Sequence, residues 1–248
     1  LLTDLPKKQY PEKTYQPHTS DFSVSIEDQR CNRYILRQIN NIKNGETPAW
    51  IKERLEVIGQ RSINTIVDIT NLVMFDRGQP MHAFDANKVV GKTIFVRQAR
   101  EDEQITTLDG KVVTFKGGEM VIADEEGPLA IAGIKGGNRA DVDENTTNII
   151  LESAHFDAVT VRTTRRALGI DTESAKRFER DITSVWAKEA MKWATDFVDE
   201  YAATDKTIAC DIVDEYPRKA GIYKTGVSLQ EVNKYLGTDF SEEELQVI

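Results

Sequence analysis

Cysteine, histidine and long apolar runs are all scarce in these 248 residues, and each scarcity removes a class of protein. The two cysteines, Cys31 and Cys210, lie far apart with no second ligand nearby. That spacing excludes a cysteine zinc site and argues against a disulfide framework, which suits a reducing cytoplasm. No run approaches the roughly 18 apolar residues of a membrane span, and no signal-peptide core opens the chain. The usual catalytic signatures are missing as well: there is no G-x-S-x-G elbow, P-loop, H-E-x-x-H or G-x-G-x-x-G. Cys31 is remote in sequence from all three histidines, so a Cys-His nucleophile pair is not advertised. Net positive charge is lacking too. The formal charge is −9 with a pI near 5.0, whereas a protein that grips nucleic acid over its whole face is usually basic. Any RNA contact must therefore be local or supplied from elsewhere, and no DNA or membrane partner is expected.

Forty per cent apolar and 29% charged residues describe a soluble folded protein with a real core. The length allows one large domain or one and a half ordinary ones. Residues 1–20 hold three of the seven prolines and read as a linker or arm. Residues 21–217 form the main domain, and 218–248 begin another unit. The chain opens on Leu1 and stops inside a capped helix, so the expectation is a piece of a longer chain.

Period-two alternation predicts strands in "FSVSIE", "RYILRQINNIK", "MHAFD", "TIFVRQA" and "TNIILESAHF". "EMVIADEEGPLAIAGIKGG" predicts two more, and "TIACDIVDEYP" a last one. "TTLDGKVVTF" reads as a hairpin with a type I′ turn at Asp109-Gly110. "TPAWIKERLEVIG" reads as a helix with Thr47 as N-cap, Gly59 closing it, and Trp50, Leu55 and Ile58 buried. A second helix buries Ile66, Ile69, Leu72 and Val73 before Gly78 and Pro80 end it. "DAVTVRTTRRALG" is a short helix. The strongest helix runs from Thr183 to Ala203, with Trp186, Ala190, Trp193, Ala194, Phe197 and Tyr201 as its stripe. Beyond it come a short helix, a glycine turn, and a capping box of Ser241 with Glu244. The fold class is α+β, with mixed and antiparallel sheets and segregated helices.

Four segments carry possible chemistry. Thr70-Asn71 with His82 is either the wet side of a helix plus a satisfied histidine, or a polar set facing a ligand. "AIAGIKGG" (130–137) offers small residues that permit either tight packing or close approach of a ligand. Glu152 shares a strand face with Ile150 and Ala154, which places a carboxylate at a sheet edge or in a pocket. "VRTTRRALGIDTESAKRFER" (161–180) sets six cations against three carboxylates. It is a solvated helix face or a local phosphate-contact patch.

Taken in order, "RSINTIVDITNLVMFDRGQPMHAFD", "ITTLDGKVV", "VIADEEGPLAIAGIKGG" and "NIILESAHFDAVTVRTTRRALGIDTESAKRFER" resemble the editing domain of the bacterial phenylalanyl-tRNA synthetase beta subunit. The resemblance covers residues 33 to about 203. It implies hydrolysis of tyrosine wrongly esterified to tRNA(Phe), by a positioned water and without a covalent intermediate. It further implies that Glu152 reads the tyrosine hydroxyl and that Thr70, Asn71 and His82 line the same pocket. Of these, His82 positions or polarises in preference to acting as base. Ala132 and Gly133 would form a close-packed wall that a large side chain blocks, with Thr172 and Ser174 beside it. Arg61, Lys135, Arg162, Arg165, Arg166 and Arg177 are the candidate tRNA contacts. The partners implied are the alpha subunit and tRNA(Phe), in the cytoplasm. ATP and Mg²⁺ would serve the alpha subunit, with no cofactor or metal in this chain. Three positions depart from the family pattern: Lys135 replaces an apolar residue, Ser174 a small alanine, and Asp181 a glycine. Two rivals remain, a scaffold that has lost editing and a free-standing editing protein. The retained polar set argues against the first, and the started second unit against the other.

Overall fold

The computed structural model describes residues 15–221 and 224–247. Residues 1–14 of the expected arm lie outside the described residues. In chain order the elements are β1 (Ser23–Ile26), β2 (Cys31–Asn40), α1 (Ala49–Val57), α2 (Thr65–Arg77), β3 (Met81–Asp85), β4 (Thr93–Gln98), β5 (Glu101–Thr106), β6 (Val112–Lys116), β7 (Met120–Ala123), β8 (Pro128–Ile131), β9 (Lys135–Gly136) and β10 (Ile149–Phe156). They continue with α3 (Ala158–Leu168), α4 (Glu173–Phe178), α5 (Trp186–Tyr201), β11 (Ile208–Ala209), β12 (Val213–Glu215), α6 (Leu229–Leu236) and α7 (Glu242–Val247). The class is α+β. Two compact units divide at residues 218 and 219. No helix among the described residues is long and apolar enough to cross a membrane.

Two five-stranded sheets organise the first unit. One has the order β1-β4-β7-β8-β9, parallel only at β1 and β4. The other runs β11-β2-β10-β3, antiparallel throughout, with β12 also on β2. Alternation along β10 sends Ile149 and Leu151 into one core with Ile35, Ile39, Ile66, Ile69 and Val73. It sends Ile150 and Ala154 into another with Tyr34, Leu36, Phe84, Ile122 and Ile131. The β2-β10-β3 sheet is therefore a middle layer. Helices α1, α2 and α5 cover one face and the other sheet covers the second, so its central strands β2 and β10 are buried on both sides and largely apolar.

α2 forms where Asn64 accepts the Val67 N–H as N-cap and stops at Gly78, whose φ of 76° suits a left-handed cap. Its first turn is bolted down by Asp68, which is fully buried. That carboxylate accepts hydrogen bonds from the Thr47 and Ser62 hydroxyls at 2.5 Å each and from the Ile63 N–H at 3.0 Å.

Several local expectations change. Thr47 does not cap α1, because its hydroxyl is committed to Asp68, and Pro48 stands at the N-cap with no side-chain bond. Ile51, not Ile58, shares the buried stripe with Leu55, and Ile58 faces solvent. Trp186 lies exposed at the start of α5, so the stripe there begins at Ala187. The hairpin turn is not type I′. Gly110 has φ of 80° but Asp109 does not take positive φ, and Gly110 N–H returns to Thr107 O while Thr107 N–H reaches Lys111 O. That is a three-residue loop with glycine in the bulge position. "GIKGG" supplies a third strand, β9, and "TIACDIVDEYP" breaks into β11 and β12. In the second unit α6 has a capping box of Ser228 with Glu231. Ser241 and Glu244 make the reciprocal bonds expected of them.

Removing the Asp68 carboxylate leaves the buried Thr47 hydroxyl, and the partly buried Ser62 hydroxyl and Ile63 N–H, without their acceptor. Asp68→Ala should cost about 3 kcal/mol or more of unfolding free energy. Urea denaturation checks this, and a loss under about 1 kcal/mol would show that the carboxylate is not the anchor of α2.

Candidate functional site

A cavity of about 480 Å³ opens where β3 ends the middle sheet, between the two sheets and under α2 and α4. α2 contributes Val67, Thr70, Asn71 and Met74, and the second sheet contributes Ala130, Ile131 and the 133–136 segment. His82 and Glu152 come from β3 and β10, where they stand opposite one another in register. Residues 171–174 and Lys176 close the far side.

Glu152 is 7% exposed and lies on an internal strand, so its place is a pocket and not a sheet edge. Tyr34, fully buried, donates its hydroxyl to Glu152 Oε2 at 2.7 Å. Oε1 has no hydrogen-bond partner among the described residues. Burial raises the Glu152 carboxyl to about 7, against the downward pull of the Tyr34 hydrogen bond. The Tyr34 phenol is held well above its ordinary value by burial and by that carboxylate, so it stays a neutral donor.

His82 is partly exposed to the cavity, yet protein packs both sides of its ring. Phe84 meets it edge-on at 4.6 Å, and a Cβ added to Gly136 would fall 2.6 Å from its Cε1. Desolvation lowers its pKa to about 4, so the imidazole is neutral at physiological pH. Thr70 is buried and donates to Val67 O at 2.7 Å, which leaves its oxygen lone pairs for an incoming donor. Asn71 lines the cavity, and its carboxamide has no partner among the described residues.

The wall opposite is stapled by hydroxyls. Thr172 caps α4, accepting from the Ala175 N–H and donating to Ile134 O at 2.8 Å. Ser174 donates to Gly133 O at 3.1 Å, so this serine acts as a clamp on the turn it faces. Gly133 lines the cavity through its backbone at φ 70°, but a Cβ there would meet Phe156, Phe178 and Val161 within 3.2 Å. A side chain at 133 would therefore first press on Phe156, Phe178 and Val161, of which Phe178 also lines the cavity. Ala132 sits in the core and does not line the cavity. The glycine that faces the site is Gly136. Asp181 takes φ of 61°, the conformation for which glycine is the easy choice, and its carboxylate lies 3.5 Å from His155 Nε2.

Three of the six expected cationic contacts are spent internally. Arg165 pairs with Asp171 and Glu179. Arg177 pairs with Glu173 and lies over the Phe75 ring at 4.6 Å. Lys135 reaches Asp109 at 2.8 Å, which holds that exposed carboxyl down at about 2. Arg61, Arg162 and Arg166 make no ion pair among the described residues, and none of the three lines the cavity. Sequence reasoning missed Tyr34, Leu108 and Gln60 at the site. Gly136 and Lys176 fell within the singled-out segments 130–137 and 161–180 without being assigned to the cavity. Among the described residues no group of three or more His, Cys, Asp or Glu side chains is placed to hold a metal ion.

A family model described as the B3/4 domain matches residues 30–203. The phenylalanine–tRNA ligase beta subunit of Fusobacterium nucleatum is 41% identical over 245 residues, covering 96% of this chain and 30% of the relative. That of Aquifex aeolicus is 40% identical over 245 residues, covering 98% and 31%. That of Protochlamydia amoebophila is 42% identical over 219 residues, covering 88% and 27%. The chain thus spans about three-tenths of the length of these relatives. An N-terminal fragment of the phenylalanyl-tRNA synthetase beta subunit from Pyrococcus horikoshii shares the fold, with a TM-score of 0.51 at 12% identity over 94% of this chain and 65% of that one.

Two outcomes test this geometry. Glu152 binds its proton more tightly folded than unfolded, so its protonated form supports the fold fully below about pH 4.5. That support is lost as pH rises through about 7. Glu152→Gln should therefore gain on wild type between pH 5 and pH 8 by on the order of 3 kcal/mol in urea unfolding. A pH-independent difference would contradict the raised pKa. Gly136→Ala should displace the His82 ring, and the imidazole NMR resonances of a well-folded variant should shift; unchanged resonances would refute the contact.

Proposed function

The chain belongs to the B3/4 domain family, and we propose that it forms the editing site of a phenylalanine–tRNA ligase beta subunit, hydrolysing tyrosyl-tRNA(Phe). The observation that carries the reading is Glu152: a buried carboxylate with one oxygen held by a phenol and the other turned to a cavity. A cavity of this size suits a single aromatic amino acid. Its polar groups follow a gradient of exposure, with Glu152 and Thr70 buried, His82 and Asn71 half-buried, and Lys176 44% exposed. A tyrosyl ester entering ring first would bring its hydroxyl to Glu152 at the buried end, beside which Thr70 lies equally buried, and leave the ester towards His82 and Asn71.

The chemistry explains why such a site is useful. A pocket made for phenylalanine rejects an added hydroxyl weakly, because only crowding opposes it. A second pocket can invert the test. Here a tyrosine hydroxyl donates to Glu152 Oε1, whereas a phenylalanine ring presses that polar oxygen against carbon. An unpaired buried polar group costs about 1–3 kcal/mol, roughly ten- to a hundredfold in selectivity.

Hydrolysis of an ester by water needs orientation more than covalent help. A neutral His82 with a pKa near 4 is a weak base, so its role is to hold the water or the ester carbonyl by hydrogen bonding. Asn71 supplies an uncommitted donor for a developing oxyanion. The same reading assigns tRNA(Phe) and an alpha subunit as partners in the cytoplasm. It leaves phenylalanine activation, with its ATP and Mg²⁺, to the alpha subunit. With so many of its cations paired internally, this chain would leave most of the tRNA's grip to other parts of the enzyme.

In the full ligase, wild type should deacylate tyrosyl-tRNA(Phe) at least tenfold faster than phenylalanyl-tRNA(Phe). Glu152→Ala should erase most of that ratio while aminoacylation stays intact. His82→Ala should slow both esters together. If wild type hydrolyses neither ester, the domain is a scaffold and the reading fails.

A further inference from the structure

We propose that Tyr34 is a specificity-positioning residue, which occupies one oxygen of Glu152 and thereby leaves a single, fixed acceptor for the phenol that enters the cavity. The inference rests on the editing reading above and concerns what sets its selectivity.

The placement follows from register. On the β2–β10 pair Glu152 stands opposite Leu36 and Ala154 opposite Tyr34, so Tyr34 is the diagonal neighbour of Glu152 on the same face. That face lies between the two sheets, where Leu36, Phe84, Ile150 and Ala154 surround both groups. A carboxylate there has two equivalent oxygens, and rotation about its last bond would offer either to the cavity. The Tyr34 hydroxyl carries one proton and spends it on Oε2 at 2.7 Å. No other hydrogen-bond partner is within reach of that hydroxyl among the described residues, so the bond is not shared. Rotation is then opposed by loss of a buried, charge-assisted hydrogen bond. The carboxylate waits with Oε1 towards the cavity, and a tyrosyl ester completes a bracket of two phenols about one carboxylate.

The arrangement also biases the protonation state. Burial alone favours the neutral acid, which would offer an O–H where an acceptor is needed. The hydrogen bond from Tyr34 favours the ionised form and opposes that drift. Removing it should make Glu152 harder to ionise and free to turn, so discrimination should appear only at higher pH. A purely structural tyrosine would not move a pH profile in this way.

The test uses the full ligase and two readouts. Deacylation of tyrosyl-tRNA(Phe) and phenylalanyl-tRNA(Phe) is followed from pH 6 to pH 9 for wild type, Glu152→Ala and Tyr34→Phe. In parallel, ¹³C-labelled glutamate reports the titration of Glu152. Tyr34→Phe is expected to lower the tyrosine-to-phenylalanine ratio about tenfold at pH 7, with partial recovery at pH 9. It should also raise the Glu152 titration midpoint. Should Tyr34→Phe fold poorly, 3-fluorotyrosine at Tyr34 keeps the shape and strengthens the donor, and the midpoint should then fall. If wild type is selective and Glu152→Ala is not, but removing or strengthening the Tyr34 donor changes neither ratio nor midpoint, the role of Tyr34 is overturned and the editing reading stands. If wild type shows no selectivity at all, both are overturned.

Discussion

One buried carboxylate between two sheets is the constraint around which this structure is arranged. Glu152 is the one carboxylate in a strand whose buried side chains are mostly apolar. Such a group is tolerated only with partners, and among the described residues Tyr34 is the one hydrogen-bond partner it has. The second oxygen is left to the cavity. The cost of burying it falls on the stability of the domain, and that cost is the same property that would make a missing substrate hydroxyl expensive. Stability and selectivity draw on one group. The helix layer contributes from the other side: Asp68 pins α2, and α2 then presents Thr70 and Asn71 to the same cavity.

Much of the fold was legible because its signals are local. Alternation marked β2, β3, β4 and β10, and Gly78 with Pro80 marked the end of α2. The errors came from side chains whose partners are far away in sequence. Thr47 looks like an N-cap until Asp68, twenty-one positions on, claims its hydroxyl. Asp109-Gly110 looks like a two-residue turn until the Thr107–Lys111 closure sets a longer loop.

The site was half legible, for a physical reason. Alternation placed Glu152 on a face with Ile150 and Ala154, but whether that face was an edge or a pocket depends on strand order. Order is set by pairing with residues about 115 and 70 positions earlier. Tyr34 carried no signal at all, because β2 is buried on both faces and an aromatic there reads as core. The basic segment left two readings open, a solvated face with ion pairs or a phosphate patch. Arg165, Lys176 and Arg177 are held by Asp171, Glu173 and Glu179. Counting charge along the chain cannot tell which cations are paired. Within the small-residue segment, a Cβ would point to Phe156, Phe178 and Val161 at Gly133 and to His82 at Gly136, a difference no residue count reveals.

The central claim is that Glu152 Oε1 receives a phenol hydroxyl. Calorimetry with non-hydrolysable 3′-amide analogues of tyrosyl- and phenylalanyl-adenosine, added to the full ligase with its aminoacylation site blocked, tests it without relying on catalysis. The account predicts that the tyrosyl analogue binds at least tenfold tighter and that Glu152→Ala brings the two affinities together. Equal binding of the two analogues to the wild-type enzyme would contradict it.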